Sequence, residues 1–264
     1  MASSVAWLLL VTGGSVAYLS AARAERRAGR RWSRSRVTAF AVGAGLLAVA
    51  ALPPVVAFAH HDLRGHMVQH VLVGMLAPLG LVLGAPVTLV LRTLSVPAAR
   101  RVAAALRSRP VRVLSHPATA ALLNVGGMAA LYATPLYAAT LSSPALHHAV
   151  HTHVLAAGCL FTWAVLAGPD PAPHAPPMRT RLGVLLVSVA AHATLGKLMY
   201  GHLLPLGTPH GPDEIRAAAQ LMYYGGDLAE GLLAVALFAT WYRRRGPWPT
   251  LRAERPGRRL PHLV

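Results

Sequence analysis

Charge is scarce in this 264-residue chain and negative charge scarcer still: 12% of residues are charged, 8 of them acidic against 25 basic. A soluble domain carries about a quarter charged residues. The single cysteine, Cys159, excludes an intrachain disulfide and any C-x-x-C thiolate site, and is read as a small packing residue. Aromatics make up only 6% and do not interleave with the basic segments, so a stacking platform for nucleic acid is excluded. What remains is apolar: 55% of residues, with a mean hydropathy of +0.48. A soluble core of this length cannot hide so much apolar surface, so the class is an all-α, polytopic membrane helix bundle.

Seven stretches are long enough to cross the hydrocarbon core: residues 5–22, 37–59, 67–91, 117–137, 148–167, 182–204 and 217–242. Of the 25 Lys and Arg residues, 22 lie in the alternate segments 23–36, 92–112, 179–181 and 243–259. Only Arg64 and Arg216 fall in the other connections, and Lys197 lies inside a span. The positive-inside rule then puts the N-terminus outside and the C-terminus inside a cell membrane, with seven transmembrane helices. The expected organisation is a seven-helix domain over residues 1–242 and a basic cytoplasmic tail over 243–264. Topology and anionic lipids account for the formal net charge of +17, with no nucleic acid as partner. Ser20-Ala21-Ala22 is small enough for signal cleavage, but the positive charge follows the apolar run instead of preceding it. The first span is therefore expected to be retained.

There are 14 histidines. Ten fall on the outer side in this topology: His60, His61, His66, His70, His147, His148, His151, His153, His202 and His210. Neutral imidazole is the commonest protein ligand for a transition metal. His66 and His70 are four residues apart and stack on one helix face, a chelating arrangement, with the Met67 thioether nearby but about 100° round the helix from His66. His147, His148 and His151 share a face of the fifth span, while His153 points away from them. The six candidate metal ligands are thus His66, His70, His147, His148, His151 and His153. Accessory candidates are His60, His61, Met67, His192, Lys197, Met199, His202, Asp227 and Glu230. Imidazole with thioether and no thiolate suits copper, although zinc on histidines and Asp62 is chemically open. Gln220, Tyr223, Tyr224, Asp227 and Glu230 form a polar stripe on the seventh span. Unpaired charge this deep costs about 2.5–3.5 kcal/mol on insertion scales, so Lys197 is expected to pair with Asp227 or Glu230 inside the bundle.

Several short motifs occur in a fixed order. They are His66-Met67-Val68-Gln69-His70 leading to Ala77-Pro78 and Gly84-Ala85-Pro86, then Ser115-His116-Pro117. After these come His151-Thr152-His153 with Gly158, Phe161 and Trp163, then Gly168-Pro169-Asp170-Pro171, and last Asp227. With these motifs, residues 55–241 resemble the CtaG family of cytochrome c oxidase assembly factors. The resemblance implies a non-enzymatic, seven-span protein that helps metallate the copper of the haem–copper centre of a membrane oxidase subunit. It carries over to His66, His70, His151 and His153 as motif positions. The role of His60, His61, His147 and His148 rests on ligand chemistry alone. Copper is the expected cargo and haem is not expected. Two alternatives stay open. One is a redox protein with haem held between histidines such as His70 and His153, or His192 and one of them. The other is a copper uptake or resistance protein with a path along His192, Lys197, Asp227 and Glu230.

Overall fold

Proline placement cuts the apolar stretches into more pieces than their hydropathy alone indicates. The computed structural model describes residues 2–245. The basic tail expected at 243–264 lies, from residue 246 on, outside the described residues. Among the described residues the chain is all-helical, in the order α1 (Ala2–Arg27), α2 (Arg34–Ala50), α3 (Pro53–His61) and α4 (Leu63–Val71). A π-helical turn (Leu72–Leu76) joins α4 to α5 (Ala77–Leu83), followed by α6 (Pro86–Thr93), α7 (Val96–Leu106), α8 (Arg109–Leu114) and α9 (Pro117–Ala121). A second π-helical turn (Leu122–Gly126) leads to α10 (Gly127–Ala133), then α11 (Leu136–Ser142), α12 (Pro144–Leu166), α13 (Met178–His202) and α14 (Pro212–Arg245). Pro53, Pro86, Pro117, Pro144 and Pro212 each open a helix, where a missing N–H costs nothing and the fixed φ helps.

Four helices are long and apolar enough to cross a membrane: Leu63–Leu83, Pro144–Leu166, Met178–His202 and Pro212–Arg243. Two bent pairs bring the number to as many as six: Arg34–Ala50 with Pro53–His61, bent by 58°, and Pro117–Ala133 with Leu136–Ser142, bent by 75°. The stretch expected as a first span lies on α1, which packs on α2 and α6 but is not among these six. Both bends precede a proline. Leu52 before Pro53 is extended (φ −63°, ψ 139°), as is Thr134 before Pro135 (φ −127°, ψ 171°). Proline disfavours the helical region for the residue ahead of it, so each helix breaks there and its last turns fold over the end of the bundle. The side chain of Gln69 donates to the freed Ala50 carbonyl at 2.8 Å, which gives this motif residue a structural task at the first bend.

The third span is shorter than expected. It ends at Leu83 rather than at residue 91, with Ala85 in the left-handed region (φ 55°) before α6. Pro86 has no N–H with which to continue the ladder, and the Tyr18 hydroxyl donates to the freed Gly84 carbonyl at 2.7 Å. Pro78 does not break the span. Its ring would crowd the carbonyl of Gly74, and the π-helical turn immediately before it widens the helix there. The Gly74 carbonyl then lies against α12: a Cβ at Gly158 would sit 2.1 Å from that oxygen.

The Gly168-Pro169-Asp170-Pro171 motif also receives a physical reason. Asp170 is buried, and its carboxylate accepts from Val87 N (3.0 Å), Thr88 N (2.6 Å) and the Thr88 hydroxyl (2.7 Å). It therefore caps α6 from 83 residues away in sequence. Replacing Asp170 with alanine leaves two orphaned N–H groups, with an expected cost of about 1–3 kcal/mol. Thermal unfolding in detergent should show a lower midpoint for Asp170→Ala than for Asp170→Asn, which keeps one acceptor oxygen. Equal midpoints for Asp170→Ala and the unsubstituted protein would remove this capping role.

Candidate metal centre

The folded-over ends α3 and α11 bring histidines from separate spans to one end of the bundle. A cavity of about 290 Å³ opens there, lined by His60 of α3, Thr140 and Leu141 of α11, and His147, His148 and His151 of α12. Gln69 and Val73 form its inner wall. The ring centres of His60 and His147 are 5.0 Å apart, those of His147 and His148 5.9 Å, and those of His147 and His151 4.3 Å. His66 adjoins the same group, 6.0 Å from His151. With metal–nitrogen bonds of about 2.0–2.1 Å, two imidazoles on one ion have ring centres no more than roughly 6–6.5 Å apart. All four pairs lie within that reach. As the side chains stand, no three of His, Cys, Asp and Glu among the described residues form a group placed to hold an ion. Pairwise proximity is present, whereas a converged three-donor set is not.

Two ring nitrogens mark the inner side of this cluster. His70 Nε2 and His151 Nε2 are buried, and neither has a hydrogen-bond partner among the described residues. A buried imidazole nitrogen without a partner is costly to maintain, and a metal ion is one occupant that would satisfy it. His66, by contrast, is engaged: its Nε2 lies 3.1 Å from the Tyr132 hydroxyl, and its ring packs edge-on against Tyr137 at 4.9 Å. Behind it runs a hydrogen-bonded chain. The Tyr137 hydroxyl is 3.3 Å from His210 Nε2, and His210 Nδ1 is 2.7 Å from Glu214 Oε1. That same oxygen accepts from Leu63 N at 2.6 Å, at the first turn of α4. Glu214 thus ties α14 to the start of α4 and steadies the turn that carries His66.

The other candidates divide. His153 is exposed and turned to a different helix, its Nε2 3.0 Å from the Leu123 carbonyl. A carbonyl only accepts, so Nε2 carries the proton and Nδ1 the lone pair. His61 and His202 are exposed and stand outside the histidine-lined cavity. Met67 and Met199 are fully buried in an apolar cluster with Leu63, Met128, Tyr132 and Met222. Asp62 is held by Arg64, whose guanidinium keeps the carboxyl below its ordinary range. That engagement weakens the case for Asp62 as a zinc ligand.

The expected ion pair of Lys197 is not formed. Lys197 is exposed and lies over the Tyr223 ring at 5.7 Å, and Asp227 is exposed as well. Both occupy the outward face of α13 and α14 instead of the interior. Glu230 faces inward and takes His192 as partner, with Nδ1 to Oε1 at 3.3 Å. The approach depends on Gly226, where a Cβ would meet the His192 ring at 1.9 Å. His192 Nε2 and Glu230 Oε2 are both buried without a hydrogen-bond partner.

Sequence reasoning missed Tyr132, Tyr137, His210 and Glu214 as supports for the cluster. Tyr137, two residues after Pro135, was a usable signal, because a proline bend at the end of a span turns the following aromatic over that end.

Comparison with known proteins is consistent along most of the chain. A family model described as cytochrome c oxidase caa3 assembly factor matches residues 16–244. Uncharacterised proteins of Mycobacterium bovis and Mycobacterium tuberculosis are each 35% identical over 189 residues, covering 69% of this chain and 28% of theirs. One from Mycobacterium leprae is 32% identical over 188 residues, with the same coverage. The chain therefore spans little more than a quarter of the length of these relatives. No solved structure matches it.

Proposed function

The chain belongs to the cytochrome c oxidase caa3 assembly factor family, and from that premise we propose that it binds copper at the histidine-rich end of its bundle and delivers it to an oxidase. The observation that carries this reading is the cavity lined by His60, His147, His148 and His151, where His151 Nε2 is buried without a hydrogen-bond partner. The donors are imidazoles with no available thiolate, a set suited to copper rather than to a hard, oxygen-seeking cation. Delivery proceeds by ligand exchange to the metal centre of a membrane oxidase subunit, without bond chemistry on a substrate, so the role is not enzymatic.

The proposed topology is seven spans in the plasma membrane, with α1 as the first, the N-terminus outside and the histidine cavity on the outer side. The 22 basic residues in alternate connections and the tail support it. The segment formed by α7 and α8 carries Arg100, Arg101, Arg107, Arg109 and Arg112 beside the exposed Val96 and Val113, and it rests on anionic headgroups at the inner surface. Reporter fusions should place residue 62 outside and the C-terminus inside. A C-terminal reporter that is active only outside the cell would reverse both the topology and the side on which copper is taken up.

A haem between His70 and His153 meets a steric objection, because the gap that both residues line measures only about 10 Å³. Metal analysis and an absorption spectrum of the purified protein test the reading directly. Copper at one equivalent or more with no haem absorption is the expected result. A haem spectrum, or copper at background after loading, would overturn it.

A further inference from the structure

Apart from the histidine-lined cavity, three helical segments leave a second, smaller gap between them. It measures about 10 Å³ and is bordered by His70 of α4, Met75 of the first π-helical turn, Asn124 of the second, Met128 of α10 and His153 of α12. Its donor-bearing walls are therefore two imidazoles, two thioethers and the Asn124 carboxamide. His70 is 5% exposed, with a buried Nε2 that has no partner. His153 gives its Nε2 proton to the Leu123 carbonyl, so its Nδ1 lone pair is the one left for a ligand. Space for one water begins at roughly 10–15 Å³, so the gap sits at the lower limit for a water and excludes a hydrated ion, while admitting a bare one.

We propose that this gap is a second, inner station for cuprous copper, bound by His70, Met75, Met128 and His153. The proposal rests on the copper reading above and adds a separate site with sulfur donors. Thioether and imidazole without thiolate are soft and neutral ligands, which select Cu(I) among the biological cations. Such a set leaves the ion's positive charge uncompensated in a medium of low dielectric. The adjoining gap, about 20 Å³, supplies the counter-charge. It shares Met75 and Asn124 with the first and is lined by Glu230, whose Oε2 has no hydrogen-bond partner. An ion entering through the histidine-lined cavity reaches the inner station by exchange from His151 to His70, with no change of oxidation state.

X-ray absorption of the full-length protein loaded anaerobically with one equivalent of Cu(I) reads the ligands directly. The expected spectrum has both sulfur and nitrogen scatterers, and selenomethionine-substituted protein should show copper–selenium scattering without any mutation. The double variant Met75→Leu/Met128→Leu, close to volume-conserving, should lose the sulfur shell and bind Cu(I) at least tenfold more weakly in competition with a chelator. Glu230→Gln should weaken binding while keeping the sulfur shell. Nitrogen-only scattering in the wild type, with no selenium shell, overturns the inner station and leaves the outer copper site standing. Unchanged affinity in the double leucine variant overturns it as well. Absence of any bound copper overturns this proposal and the copper reading together.

Discussion

Replacing His70 and His151 together with alanine should lower copper affinity by at least about 100-fold, with membrane insertion unaffected. Each of these residues, His70 on α4 and His151 on α12, has a buried ring nitrogen with no hydrogen-bond partner. Removing a group that only supports a metal ligand costs about 10–100-fold in affinity, and losing one ligand from the outer cavity and one from the inner station should cost no less. Alanine at each site also removes a buried nitrogen that lacks a partner, so the fold does not depend on either imidazole for a hydrogen bond. His61→Ala and His202→Ala are the matched controls. Both residues are exposed and lie outside the histidine-lined cavity, and each variant should retain copper like the wild type. The check is copper stoichiometry after dialysis against a chelator, normalised to folded protein. Undiminished stoichiometry in the double variant would place the site elsewhere.

The second large effect is on the fold. Gly158→Ala should abolish accumulation of folded protein, or lower its stability by about 3 kcal/mol or more, the upper end for overpacking a close contact. The added Cβ would lie 2.1 Å from the Gly74 carbonyl oxygen and 3.0 Å from the Pro78 ring, so the spans Leu63–Leu83 and Pro144–Leu166 must separate. Those two spans carry His66 and His70 on one side and His147 and His151 on the other. The same variant should therefore disperse the histidine cluster even where some protein survives in the membrane. Gly183→Ala and Gly201→Ala have nothing within 4 Å of the added carbon and should behave as the wild type. Fluorescence-detected size exclusion after mild detergent extraction distinguishes these outcomes. A monodisperse Gly158→Ala peak at wild-type yield would contradict the close approach.

Hydropathy and charge alone made the helical membrane class legible in the sequence. The four-residue spacing of His66 and His70 correctly indicated a shared helix face, and the phase of His153 correctly separated it from His147 and His151. Span boundaries were less legible, because hydropathy does not register where a helix breaks. Residues 84–91 are apolar enough to extend the third span, yet Pro86 ends it near Gly84. The folded-over ends α3 and α11 went unread for the same reason, although Leu52-Pro53-Pro54 and Thr134-Pro135 announce them. Lys197 was misassigned on a cost argument: charge at this depth requires a partner, but the requirement does not say on which face the partner lies. Met75 and Met128 escaped attention because a methionine in an apolar span reads as packing. Only the convergence of three helices sets them beside His70 and His153.

Copper delivery to an oxidase is the central claim, and it is tested in a strain lacking this protein, grown at limiting copper. The oxidase isolated from that strain should contain its polypeptides and haem but be deficient in copper and low in activity. Added copper should restore part of the activity, because mass action then replaces a carrier. A fully copper-loaded, active oxidase from the deletion strain at limiting copper would contradict the account.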